Sequence, residues 1–124
     1  MKALTICQPY AHLIVIGDKI IENRKWATSY RGPLAIHAGK SRQWLEDGDE
    51  QEWPHMVFGA VVAIADLRGC ARLEDLPLEY RDHAHASGPW CWILRNVLPL
   101  KKPIPMRGAQ GLWEWVEAPT AEGT

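Results

Sequence analysis

Apolar positions fall in short, separated runs, and the period of their spacing changes along the chain. Ala3-Leu4-Thr5-Ile6 is short and apolar and predicts a first strand. Tyr10, Leu13, Ile14 and Gly17 then stand at i, i+3, i+4 and i+7, one face of a short helix. Pro9 would open that helix, where its missing N–H costs nothing. Gly17 would close it, because a left-handed residue past the last turn is least strained as glycine. The run from Lys19 to Trp26 reads as a strand. Alternation places Glu22, Arg24 and Trp26 on one face and Ile21, Asn23 and Lys25 on the other. Ala27 to Pro33 is a turn by composition, and Leu34–Ala38 is the next strand. Ser41 would cap a short helix through Trp44 and Leu45 toward Glu52, interrupted at Gly48 and passing into an acidic loop.

Val57 to Leu67 is almost continuously apolar, the pattern of a strand buried on both faces, with Asp66 a polar residue in apolar company. Arg68 to Gly88 is polar and mixed, anchored by Leu73, Leu76, Leu78 and Tyr80. Trp90 to Leu94 is a strand with alternating aromatics. Val97 to Leu100 and Ile104 continue the β pattern between prolines, which suits edges and bends. Arg107 to Gly111 is a turn, and Leu112 to Val116 a final alternating strand. Five or six short strands with one good helix predict an α+β fold, a small, partly closed β-barrel flanked by short helices. At 124 residues this is one domain, expected over 1–117, with a frayed tail over 118–124.

Composition narrows the function. Hydrophobic residues make up 47% and charged residues 23%, a globular balance. Net charge is −1, which excludes bulk electrostatic attraction to a long nucleic-acid backbone. Any such site must be local. The acids concentrate between Glu46 and Glu52 and between Glu74 and Glu79, which leaves Lys19, Arg24, Lys40 and Arg107 among the cations able to form a basic patch. Three cysteines without paired spacing, no signal-peptide pattern and no membrane-length apolar run point to a cytoplasmic, membrane-free protein.

Lys19, Glu22 and Arg24, with Trp26 beyond them, form a constellation able to hold a planar, hydrogen-bonding ligand such as a nucleobase. An aromatic beside an arginine is how proteins stack single-stranded bases. On spacing alone, a solvated strand surface is an equally good reading of the charges. His37 ends its strand just before Gly39-Lys40-Ser41-Arg42, where a cleft would open, and Lys40 and Arg42 would extend a positive rim. Arg107-Gly108-Ala109-Gln110-Gly111 lacks the lysine and length of a P-loop, yet its backbone N–H groups suit an anion. Only His83 and His85 have close spacing among the metal-ligand types, so no metal and no cofactor are expected. Seven tryptophans exceed what so small a core requires; the Trp90/Trp92 and Trp113/Trp115 pairs include core residues.

Gly17-x-Lys19-x-x-Glu22-x-Arg24 resembles the Gly-x-Lys-x-x-Glu/Thr-x-Arg motif of ASCH domains, relatives of the PUA superfamily. Gln8-Pro9-Tyr10-Ala11, Tyr30 to Ala38, Gly88-Pro89-Trp90-Cys91-Trp92 and Pro103 to Gly108 match around it, in order. The resemblance implies a PUA-like β-barrel with a basic cleft for RNA or single-stranded nucleic acid, lined by Lys19 and Arg24. Some small bacterial ASCH proteins resemble amidohydrolases that deacetylate N4-acetylcytidine, a modified nucleoside. Those use the motif lysine, a threonine three residues on, and a later glutamate. Lys19 matches, but Glu22 stands at the threonine position. A ribonuclease activity is also associated with the family. Two functions follow: a nucleic-acid-binding module using Lys19, Glu22, Arg24, Trp26, His37, Lys40 and Arg107, or an enzyme in which Lys19 and Glu22 are catalytic.

Overall fold

The computed structural model describes residues 1–115. The expectations for Val116 and for the tail over 118–124 lie outside them. Six strands form one sheet: β1 (Lys2–Ile6), β2 (Ile21–Arg24), β3 (Gly32–Ala38), β4 (Ala60–Arg72), β5 (Trp90–Pro105) and β6 (Leu112–Glu114). Their order is β2-β5-β4-β3-β1-β6. Only β1 and β3 run parallel; every other pair is antiparallel. The sheet is curled into a half-barrel with short helices against it, the α+β architecture expected.

Two strands are much longer than their apolar runs. β4 continues from Leu67 to Arg72 through residues expected to be irregular, and β5 continues through Arg95, Asn96 and three prolines. The β4–β5 register shifts between Val61 and Ala63, Ile64 and Asp66, and Leu67 and Gly69. Such bulges bend a strand and add twist, so they let two long strands wrap rather than lie flat. β2 covers β5 only over Trp90 to Ile93. Pro99, Pro103 and Pro105 lie beyond that cover, on an open edge where a missing N–H breaks no ladder bond.

Apolar alternation sorts the sheet into two faces. Leu4, Ile6, Leu34, Ile36, Trp92 and Leu94 pack with Ile14 of α1 (Tyr10–Val15). Ala3, Ala35, Val61 and Trp115 pack on the other face with Ile104, Met106 and Trp113. α1 has six residues, with Pro9 as its N-cap rather than its first helical residue. The helix expected after Ser41 is instead α2 (Asp49–Glu52). Gly48 is its N-cap, at φ 95°, so the left-handed glycine starts the helix instead of interrupting it. Asp49, Glu50 and Glu52 then favour its positive N-terminal end. A 3-10 turn (Leu73–Asp75) and α3 (Leu78–Arg81) lead into the loop before β5. No helix among the described residues is long and apolar enough to cross a membrane.

Candidate nucleic-acid cleft

The site begins at the end of α1. Gly17, at φ 89°, reverses the chain, and the Lys19 N–H donates to the Leu13 carbonyl at 3.1 Å. This closure turns the lysine inward. Its ammonium donates to the Ile21 carbonyl, lies 3.4 Å from Glu22 Oε1 and sits 5.6 Å from the centre of the Tyr10 ring. Arg24 Nη2 lies 3.0 Å from Glu22 Oε2 and donates to the Thr5 carbonyl at 2.9 Å. Side-chain exposure is 4% for Lys19, 10% for Glu22 and 23% for Arg24. One carboxylate is thus held between two cations in a largely desolvated site, and the three groups together keep one positive charge. Arg24 Nε is buried and donates to nothing among the described residues.

Burial pushes the Lys19 pKa below its ordinary value; the Glu22 carboxylate opposes that fall and the Arg24 guanidinium adds to it. The unfolded chain therefore holds more protons than the folded one between the lowered folded pKa and the ordinary ~10.4, and this group's contribution to stability rises with pH there. The Tm of the natural protein minus that of Lys19→Met should accordingly grow as pH climbs through that window. Thermal unfolding at pH 7 to 11 reads it directly, and a pH-independent difference would contradict a depressed lysine.

Lys19, Glu22 and Arg24 share the floor and wall of one cleft of about 430 Å³. Cys7 and Tyr10 line it near the start of α1, and the exposed Trp44 together with Ala84 and His85 completes much of its lining. The Ala84 and His85 part of that lining depends on Asn23, the residue assigned to the opposite strand face. Asn23 Nδ2 donates to the His85 carbonyl at 2.7 Å, and Oδ1 accepts from the Ser87 and Gly88 N–H groups at 2.9 and 2.8 Å. The strand's second face therefore builds the cleft too, by clamping the loop that lines it. Burial lowers the His85 pKa first, the nearby Lys19 and His83 lower it further, and Asp18 opposes the fall.

Four other expected site residues lie elsewhere. β2 stops at Arg24, so Trp26 leaves the strand and packs edge-on against Trp92, with ring centres 4.8 Å apart. It lines a neighbouring hollow with Thr5, Arg24 and residues 109–111. His37 is buried and fully engaged, in contrast to the open strand end expected. Its Nε2 must donate to the Met106 carbonyl, 2.8 Å away, which leaves Nδ1 to accept from the Thr5 hydroxyl at 3.2 Å. Trp113 Nε1 donates to that same hydroxyl at 3.2 Å. Lys40 and Arg107 are exposed and line a third hollow, beside His37. Arg42, expected on this rim, instead pairs with Glu50 at 2.9 Å and stacks over Phe58. Among the described residues, no group of three or more His, Cys, Asp or Glu is placed to hold a metal ion.

A mixed half-barrel whose strand β1 ends at a charged cleft defines the class, a small PUA-like domain. The ASCH domain family profile matches residues 4–104, and the chain belongs to that family. Its curated relatives include activating signal cointegrator 1 of Homo sapiens, 26% identical over 125 residues, and the Mus musculus protein of the same name at the same identity. The match covers 90% of this chain but only 22% of either relative's length. Among solved structures, an ASCH protein from Zymomonas mobilis aligns with a TM-score of 0.59 over 98% of this chain and 91% of that one. At 17% identity, that likeness shows the fold alone.

Proposed function

We propose that this domain binds single-stranded nucleic acid, RNA foremost, and takes one base into the cleft at Glu22 and Arg24. The observation that carries the reading is the pairing of a fixed acceptor with an unused donor. Glu22 is clamped by Lys19 and Arg24, and its remaining lone pairs are free to accept from base N–H groups. The Arg24 guanidinium, partly exposed and with Nε unpartnered among the described residues, keeps donor capacity beside it. A base edge offers both complements within one plane. The arrangement favours binding over catalysis, because the Glu22 carboxylate is already engaged by both Lys19 and Arg24. Lys19 then serves as the tether of the acid at the cleft floor, and phosphate contacts fall to the exposed Lys40 and Arg107.

Fluorescence anisotropy with labelled single-stranded RNA across a salt series tests this. Affinity should fall as salt rises, and Arg24→Ala should weaken binding about tenfold or more, since a charged donor at the base edge disappears. Circular dichroism of the variant checks that the fold survives. Salt-independent or undetectable binding to RNA and to single-stranded DNA would end the proposal.

One observation favours a second reading, an amidohydrolase acting on a nucleoside such as N4-acetylcytidine, or a ribonuclease. Burial lowers the Lys19 pKa, the direction a catalytic lysine base needs. Glu22 is, however, the only carboxylate among the described residues lining the cleft, and it is already paired twice. Incubation with N4-acetylcytidine or with end-labelled RNA decides: release of cytidine and acetate, or RNA cleavage, lost in Lys19→Met, would replace the binding reading with an enzymatic one.

A further inference from the structure

We infer that the cleft is the first of three consecutive subsites, so the ligand is an oligonucleotide strand rather than a free nucleoside. The inference rests on the binding reading above. Thr5 is a shared wall of three hollows. The cleft shares Thr5 and Arg24 with the hollow of Trp26, and that hollow shares Thr5, Ala109 and Gln110 with the one lined by Lys40 and Arg107. The three therefore adjoin in a fixed order, and Arg24 faces two of them.

Charge along this path sets it apart from the rest of the molecule. Among the described residues lining the three hollows, Lys19, Arg24, Lys40 and Arg107 are the cations and Glu22 is the only acid. The whole chain carries a net charge of −1, so this excess is local. Electrostatic potential of that kind tracks a phosphate backbone. The aromatic components are also spaced along the path. The exposed Trp44 lines the cleft, and Trp26, 38% exposed, lines the middle hollow. The Trp26 and Trp92 ring planes stand 85° apart rather than stacked, and the part of Trp26 that stays exposed is open to a stacking base.

The third hollow suits a phosphate. Lys40 and Arg107 flank it, and the backbone N–H groups of Gly108, Ala109 and Gln110 find no acceptor among the described residues. Gly108 keeps the path low. A Cβ there would lie 2.4 Å from Thr5 Oγ1 and 2.7 Å from His37 Cε1, so only glycine lets the loop rest on that pair. The buried Thr5–His37–Met106 hydrogen bonds thus anchor the loop that carries the anion donors, a structural task for a histidine expected to touch ligand.

The test measures affinity against strand length, using mixed-sequence single-stranded RNA of one, two, three and six nucleotides with the full chain. Affinity should rise about tenfold or more from one nucleotide to three, the increment of a stacked base. Trp26→Ala should remove most of that rise. Lys40→Ala with Arg107→Ala should flatten the salt slope for the longer strands by roughly 0.7 for each phosphate no longer neutralised. Equal affinity for one nucleotide and six would overturn the inference while leaving the base-binding cleft intact. A length dependence that survives both sets of substitutions would also overturn it, because the strand would then run elsewhere. Binding to no length at all would remove the cleft reading and this one together.

Discussion

Glu22→Ala should destabilise the fold by about 3 kcal/mol, more than any other single change in the cleft. The substitution does not merely delete two ion pairs. It leaves the Lys19 ammonium, at 4% exposure, facing the Arg24 guanidinium with no anion between them. An uncompensated buried charge carries its full desolvation penalty, and a like-charged neighbour adds to it. Arg24 is partly open to water, which places the expected loss at the lower end for a broken buried pair. In a domain of this size the Tm should drop on the order of 10 °C. A second substitution separates this account from simple loss of packing. Lys19→Met keeps most of the volume and removes the buried cation, so adding it to Glu22→Ala should recover part of the loss. Denaturant unfolding of both single variants and the double variant gives the coupling. Strict additivity would show that the two side chains act independently and that the pairing contributes nothing.

The parts of the site that were legible in the sequence are those set by local chain geometry. Gly17 as a left-handed stop, and the two-residue spacing of Glu22 and Arg24, were enough to bring three charges into one concavity. What was not legible depends on contacts across the chain. His37 stands at the carboxyl end of β3 as expected, yet Thr5, Met106 and Trp113 converge on it from separate elements and engage both nitrogens. No local pattern announces that closure. Trp26 obeys strand alternation only while the strand lasts, and β2 ends where its partner run on β5 begins, at Arg24 opposite Trp90. The extensions of β4 and β5 were hidden for the opposite reason. Their outer halves are half-exposed or edge-facing, so polar residues and prolines sit there without penalty and the apolar signal fades although the ladder continues.

Asn23 carries the second large expectation and the clearest case of a role invisible to spacing. Its amide reaches residues 62 to 65 positions away, and it satisfies one carbonyl and two N–H groups of a single loop. It also accepts weakly from Cys91 Sγ at 3.6 Å. Asn23→Ala should cost roughly 2–3 kcal/mol, because the His85 carbonyl and the Ser87 and Gly88 N–H groups lose their partner together in a partly buried setting. The loss should be localised. Amide exchange at Ser87 and Gly88 should accelerate far more than at the buried strand positions of β3, since the loop opens without the sheet unfolding. Ligand binding should weaken in parallel, as Ala84 and His85 no longer hold their part of the cleft lining. Asn23→Asp discriminates between loop anchoring and general damage: it keeps the acceptor for both N–H groups and sets an acceptor oxygen in place of the donor to the His85 carbonyl. It should therefore fall between the natural protein and Asn23→Ala in exchange protection. If both substitutions leave Ser87 and Gly88 equally protected, the loop is held by something other than this amide, and the cleft owes this part of its lining to contacts within the 83–88 segment itself.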